Sequence, residues 1–160
     1  MSIYDKLIAD AASYGLTVVE KHFKSNARGL IKGSKIGIRK DMLTVEKACA
    51  LAEEIGHNRT SIGDLLDQSD VRKRKQESRA RQYAYECMIP LGRIVQAYKM
   101  RIFGRYELAE FLGVSEEFLQ SAIDRYTEKF GIYVKYNERY TIKLCPLEVI
   151  DKYRYKYINR

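Results

Sequence analysis

No stretch of this chain stays apolar for the roughly 18 residues that a membrane-spanning helix requires, which excludes an integral membrane protein built on helices. The N-terminus, MSIYDKLIADAASYG, lacks an uninterrupted apolar core and a small-residue cleavage site. It does not read as a secretion signal, and the expected location is cytoplasmic. Cysteine is sparse: Cys49, Cys87 and Cys145 are odd in number and far apart, which points to reduced thiols rather than a disulfide frame. There is no glycine-rich phosphate loop, no internal repeat and no low-complexity linker. Histidine occurs only twice, as His22 and His57.

What is present suffices for one substantial core, or one core with a small appended module, in 160 residues. A composition of 46% hydrophobic and 31% charged residues is that of a soluble globular protein. The net charge of +8 suggests an acidic partner but is unevenly spread: RKRKQESRAR, Arg72 to Arg81, holds six basic residues and one acid.

Ile3, Leu7, Ile8, Ala11 and Ala12 give a first amphipathic helix that Gly15 ends. LTVVEKHF (Leu16 to Phe23) reads as a strand, and ARGLIKGSKIGIRK (Ala27 to Lys40) as a hairpin turning near Lys32 and Gly33, so a small antiparallel sheet is expected. A second helix follows, with Thr44 as N-cap, Glu46 suited to the positive end of the helix dipole, and Val45, Ala48, Leu51, Ala52 and Ile55 in helical period as far as His57. After the loop NRTSIGD, Ser69 or Asp70 starts a third helix that runs through the basic segment and ends near Pro90. YELAEFLGVSEEFLQSAIDRYTEKFG then has the two short helical patterns of a helix-turn-helix, with Gly113 at the turn. IYVKYNERYTIKL alternates around Asn137 and Glu138 as a hairpin would, which leaves a winged variant open. The expected fold is α+β, with residues 1–91 forming one lobe and 92–160 a helix-turn-helix lobe with a C-terminal hairpin.

The chemistry concentrates in CALAEEIGHN. Glu53 and His57, four apart, share a helix face, while Glu54 lies about 100° to one side. The zinc-peptidase pattern HExxH has this geometry, with two histidines on the metal and the intervening glutamate polarising the attacking water. Here the pattern reads EExxH. A carboxylate binds zinc at about the imidazole distance, so Glu53 can replace histidine, at the cost of added negative charge. Taken alone, two glutamates before a histidine are more often solvated residues at the polar end of a helix. A catalytic site needs a third ligand, and Glu77 is the best candidate, at the head of the line Glu77, Ala80, Ala84, Cys87 on the third helix. The bland alternative is an exposed glutamate among bases. His22 and Cys49 are set aside as an ordinary strand histidine and a small buried residue. The many tyrosines, KYRYKYINR included, read by default as cover for a small core.

The string TVEKACALAEEIGH…GDLLDQSDVRKRKQESRARQYAYECMIP resembles the phage-associated branch of the ImmA/IrrE family of metallopeptidases, in which a hairpin precedes the motif helix and an E..A..FA pattern follows, here Glu77, Ala80, Tyr83 and Ala84. The likeness extends through YELAEFLGVSEEFLQSAIDRY, covering nearly the whole chain. It implies a zincin-like motif helix and a metal, zinc or another divalent cation, held by Glu53, His57 and Glu77, with Glu54 as general base. It also implies a function: cutting a helix-turn-helix repressor to relieve repression in a phage or mobile element, inside a bacterial host cell. Glu53 stands where most of the family has histidine, which leaves catalytic competence open.

SKIGIRK (Ser34 to Lys40), directly before the motif helix, could offer a free edge to an extended substrate; the alternative is an interior or simply exposed strand. Two non-catalytic readings compete: a helix-turn-helix DNA-binding regulator, and an adaptor that binds the repressor through a degenerate metal site. Net charge favours the first, but SEEFLQSAIDRY sets Glu116, Glu117 and Asp124 against the single base Arg125, poor chemistry for approaching DNA. The second lobe is therefore expected to dock a protein, with weak non-specific nucleic-acid binding and the Arg72 to Arg81 face as its alternative seat.

Overall fold

A capping box starts the first helix. The Ser2 hydroxyl accepts from the Asp5 N–H at 3.1 Å, and the Asp5 carboxylate accepts from the Ser2 N–H at 3.0 Å. Two of the orphan donors of a helix N-terminus are thereby satisfied. In the computed structural model, which describes residues 1–60 and 70–154, this helix, α1, spans Ile3–Ser13. Gly15, at φ 74°, turns the chain out of it. The buried stripe is Tyr4, Leu7 and Ala11, narrower than the apolar pattern suggests, and Ile8 and Ala12 are exposed. Among the described residues the chain is α+β, with six helices and two three-stranded sheets. No described helix is long and apolar enough to cross a membrane. The chain divides into two compact units, Met1–Met88 and Ile89–Arg160.

In the first unit β1 (Thr17–Lys21), β2 (Gly29–Lys32) and β3 (Lys35–Arg39) lie in the order β1-β3-β2. β2 and β3 form the expected antiparallel hairpin, closed by Gly33 and Ser34 between the paired Lys32 and Lys35. Gly33 has φ 60°, the positive value that a type II′ turn needs at its first loop position. β1, however, pairs with β3 in parallel, so the sheet is mixed rather than antiparallel. The reason is burial. β3 carries Ile36, Gly37 and Ile38, all buried, whereas β1 and β2 are mostly exposed, so β3 takes the centre. The Ser34 to Lys40 strand is therefore not a free edge. Among the described residues the edges of this sheet are β1 and β2.

The helix α2 (Thr44–Thr60) begins one residue earlier than Thr44 as N-cap would require. Leu43 is the cap residue: its carbonyl accepts from the Lys47 N–H at 2.9 Å and its N–H donates to the Glu46 carboxylate at 3.0 Å. Asn58, Arg59 and Thr60, expected in a loop, are helical, and the Thr60 hydroxyl donates to the Gly56 carbonyl at 2.7 Å. Ala48, Cys49, Ala50, Leu51, Ala52, Ile55 and Gly56 are all buried, which fits a helix packed by α1, by the sheet and by α3 (Asp70–Met88). Glu20 on β1 ties three elements together, accepting from the Tyr4 hydroxyl at 3.0 Å and from Lys47 at 2.9 Å. On α3 the inward line is Ala80, Ala84 and Met88, spaced by four; Cys87, expected to point inward, is exposed. The rest of the expected loop, and Ser69, lie outside the described residues.

The second unit holds α4 (Leu91–Lys99), α5 (Arg105–Leu112), α6 (Glu116–Phe130), β4 (Tyr133–Lys135), β5 (Tyr140–Leu144) and β6 (Leu147–Asp151). Pro90 is the N-cap of α4. Gly113, in the left-handed conformation, ends α5, and the Ser115 hydroxyl caps α6 by accepting from the Phe118 N–H. The strands form an antiparallel sheet in chain order. Its first turn is organised by Asn137, whose side-chain oxygen accepts from the N–H groups of Arg139 and Tyr140 at 2.9 and 2.8 Å. β6 extends the expected hairpin by a strand, and Arg139 pairs with the buried Asp151 through two bonds of 3.0 Å. Tyrosines do line the cores: Tyr4, Tyr85, Tyr126 and Tyr140 are buried, and the Tyr126 hydroxyl donates to the Ile89 carbonyl at 2.9 Å.

Candidate functional site

The second half of α2 carries Glu53, Glu54 and His57, each half-buried. Two glycines set their surroundings. A Cβ on Gly56 would stand 2.5 Å from the Ala80 carbonyl oxygen, so only glycine allows α3 to approach the motif helix this closely. A Cβ on Gly29 would stand 2.9 Å from Glu54 Cγ and 3.3 Å from its Oε1. The first residue of the edge strand β2 therefore leaves room for the Glu54 side chain. Ile38, whose Cδ1 lies 3.3 Å from the same Cβ position, is fully buried, as are Leu51 and Ile55 on α2.

This setting changes the acids. Burial pushes the Glu53 carboxyl above the ordinary carboxylate range, against the opposing pull of Arg81, His57 and Arg28. Burial likewise raises Glu54; the charge of Glu53 adds to the rise and His57 opposes it. Neighbouring carboxyls in a poorly solvated place, with an imidazole close by, are groups suited to proton transfer.

A carboxylate and an imidazole one helical turn apart are donors that a cation such as zinc accepts, and both are sheltered here. Glu77 is exposed, although its helical phase matches that of Ala84; the first fully buried residue of α3 is Ala80. Among the described residues no group of three or more His, Cys, Asp or Glu side chains is arranged to hold a metal. The structure places Glu53, Glu54 and His57 within electrostatic reach of one another on α2, while Glu77 stands exposed on α3. His22 lies exposed, one residue beyond β1, and Cys49 is buried.

Three neighbours of the site are not evident in the motif itself. Gly29 opens β2, and Arg28 and Arg81 are close enough to Glu53 to act on its charge. Arg81 is the last base of the Arg72 to Arg81 run, so at least one member of that run serves the acid on α2. In the second unit, Glu116, Glu117, Asp124 and Glu128 are exposed along α6, with Arg125 paired to Glu128 at 3.1 Å. Comparison with known proteins found no matching family model, no matching curated protein and no matching solved structure.

Proposed function

We propose that the first unit is a zincin-like, metal-dependent endopeptidase lobe and that its substrate is a helix-turn-helix repressor, cut to relieve repression. The observation that carries this reading is the close approach of edge strand β2 to Glu54 at Gly29. An extended segment added to the free edge of β2 runs beside the acid best suited to act as base. Glu53 and His57, with Glu77 brought in, are the residues that would hold the metal, which when bound polarises a peptide carbonyl and acidifies water. Glu54 takes a proton from the attacking water and gives it to the leaving amine, a role that its burial-raised pKa favours. The second unit, read as a winged helix-turn-helix with α5 and α6 as its helix pair, docks protein, because its second helix presents acids.

Glu54→Gln tests the reading, since an amide cannot accept the water's proton. In cells co-expressing a repressor encoded in the same element, the variant is expected to bind the repressor and leave it intact on a gel, while the parent cuts it. Restoring histidine at position 53 should preserve or raise cutting. The alternative of a repressor-binding adaptor draws on Arg28 and Arg81, whose positive charges already act on Glu53. In that case Glu54→Gln relieves repression as fully as the parent, with the repressor uncut in both. Alanine at His57 should abolish stoichiometric metal in protein purified without chelator; unchanged metal content would place the site elsewhere.

A further inference from the structure

Among the described residues, the buried side of the first unit's sheet is the one that carries Ile36 and Ile38. Strand register defines the two faces: Val18, Glu20, Ile36, Ile38, Gly29 and Ile31 point to the helices. The opposite face presents Val19 and Lys21 from β1, Lys35, Gly37 and Arg39 from β3, and Leu30 and Lys32 from β2. Val19 and Leu30 are 46% and 52% exposed. No strand position on this face is acidic, and Asp41, just beyond β3, stands 3.8 Å from Arg39.

An aromatic ring is built into the middle of this basic face. Phe23, half-buried, lies over Gly37, where a Cβ would come within 3.2 Å of the ring and 2.8 Å of Lys21 Cε. The Lys21 ammonium is 5.6 Å and the Arg39 guanidinium 5.9 Å from the ring centroid. Arg39 is fixed in turn, donating to the Ala27 carbonyl at 2.9 Å and to the Ser25 carbonyl. The ring is thus held by a glycine floor and two cations, while Lys32 and Lys35 project beside the Gly33–Ser34 turn.

We propose that this outer sheet face binds single-stranded nucleic acid. Strands at the usual spacing make a three-stranded sheet about 10 Å wide, and five residues run about 17 Å, room for a few nucleotides. Lysines meet phosphates, and Phe23 is the aromatic side chain of this face against which an unstacked base would pack. A duplex hides its base faces, so the ring adds nothing to duplex binding. An acidic peptide would use the lysines and ignore the ring.

The test is fluorescence anisotropy with the full chain, using labelled oligo-dT and oligo-U of twelve residues and a twelve-base-pair duplex, with heparin as the competing polyanion. Both single strands should bind more tightly than the duplex. Lys32→Glu/Lys35→Glu should weaken them at least about tenfold and flatten the salt dependence, by about 0.7 in log–log slope for each phosphate that is no longer neutralised. Phe23→Leu should weaken single-strand binding about fivefold or more, in line with the loss of one stacked base, without altering the duplex, and Phe23→Tyr should retain it. Melting curves establish that each variant is folded. Unchanged binding in the lysine double variant overturns the proposal, and so does loss of binding in Lys73→Glu/Lys75→Glu, which would move the site to α3. Equal binding of single strand, duplex and heparin with no effect of Phe23→Leu also overturns it, leaving a face for polyanions or an acidic protein.

Discussion

Gly56 is the residue on which the motif helix depends most directly. An added methyl meets backbone at 2.5 Å, and backbone cannot rotate aside. Gly56→Ala should therefore destabilise the first unit by about 1–3 kcal/mol, the usual range for overpacking. Urea unfolding would register this as a lower midpoint with an unchanged slope. Glu77 shares its helical phase with Ala84 yet is exposed, and the first fully buried residue of α3 is Ala80. The i,i+4 relation of Glu53 and His57 was readable because it is local. Arg28 and Arg81 could not be read as neighbours of Glu53, because they arrive from other elements.

Elements announced by punctuation were legible: α1 stops before Gly15, the hairpin turns at Gly33, and α3 ends before Pro90. The parallel pairing of β1 with β3 was not, since strand order follows from which strand is most buried, a property of the whole layer. β6 stood behind Cys145 and Pro146, which close a two-residue loop between Leu144 and Leu147. The closeness of Gly29 to Glu54 makes an element-scale prediction. Gly29→Val should displace Glu54 from the β2 edge and reduce repressor cutting at least about tenfold, by misplacing a proton-transfer group, while metal content is unchanged. A second prediction concerns the Arg139–Asp151 pair. The two hydrogen bonds from Arg139 hold the Asp151 carboxyl below the ordinary range. A depressed folded-state pKa contributes stability above the unfolded value of about 3.9 and loses it as pH falls through the folded one. Acid unfolding of the second unit should begin below about pH 4, and Asp151→Asn should lower its stability at pH 7 while flattening that acid limb, as followed by circular dichroism.

Across the whole molecule, a net charge of +8 guarantees some attraction to DNA of any sequence. With acids along α6, duplex binding should be weak, indifferent to sequence and steeply reduced by salt. Tight, sequence-selective binding at physiological salt would instead favour a DNA-binding regulator, and charge reversal at Arg125 would then locate it. The proposed chemistry belongs to the first unit and the docking role to the second, so different measurements test them: cutting and metal content for one, repressor capture for the other.

The position of β3 also bears on how the protein is made. Among the described residues β1 and β2 each pair as strands with β3 and not with each other, and β3 is the last of the three to be synthesised. A nascent chain that has emerged only as far as Ser34 carries two strands with no partner. Once Lys35 to Arg39 leaves the ribosome, both ladders can close within moments, because synthesis adds only about 5–20 residues per second and hairpins form in microseconds. The sheet is in this sense a latch thrown by its final strand, and a ribosome stalled before residue 35 would present β1 and β2 as unpaired, aggregation-prone segments to any chaperone nearby.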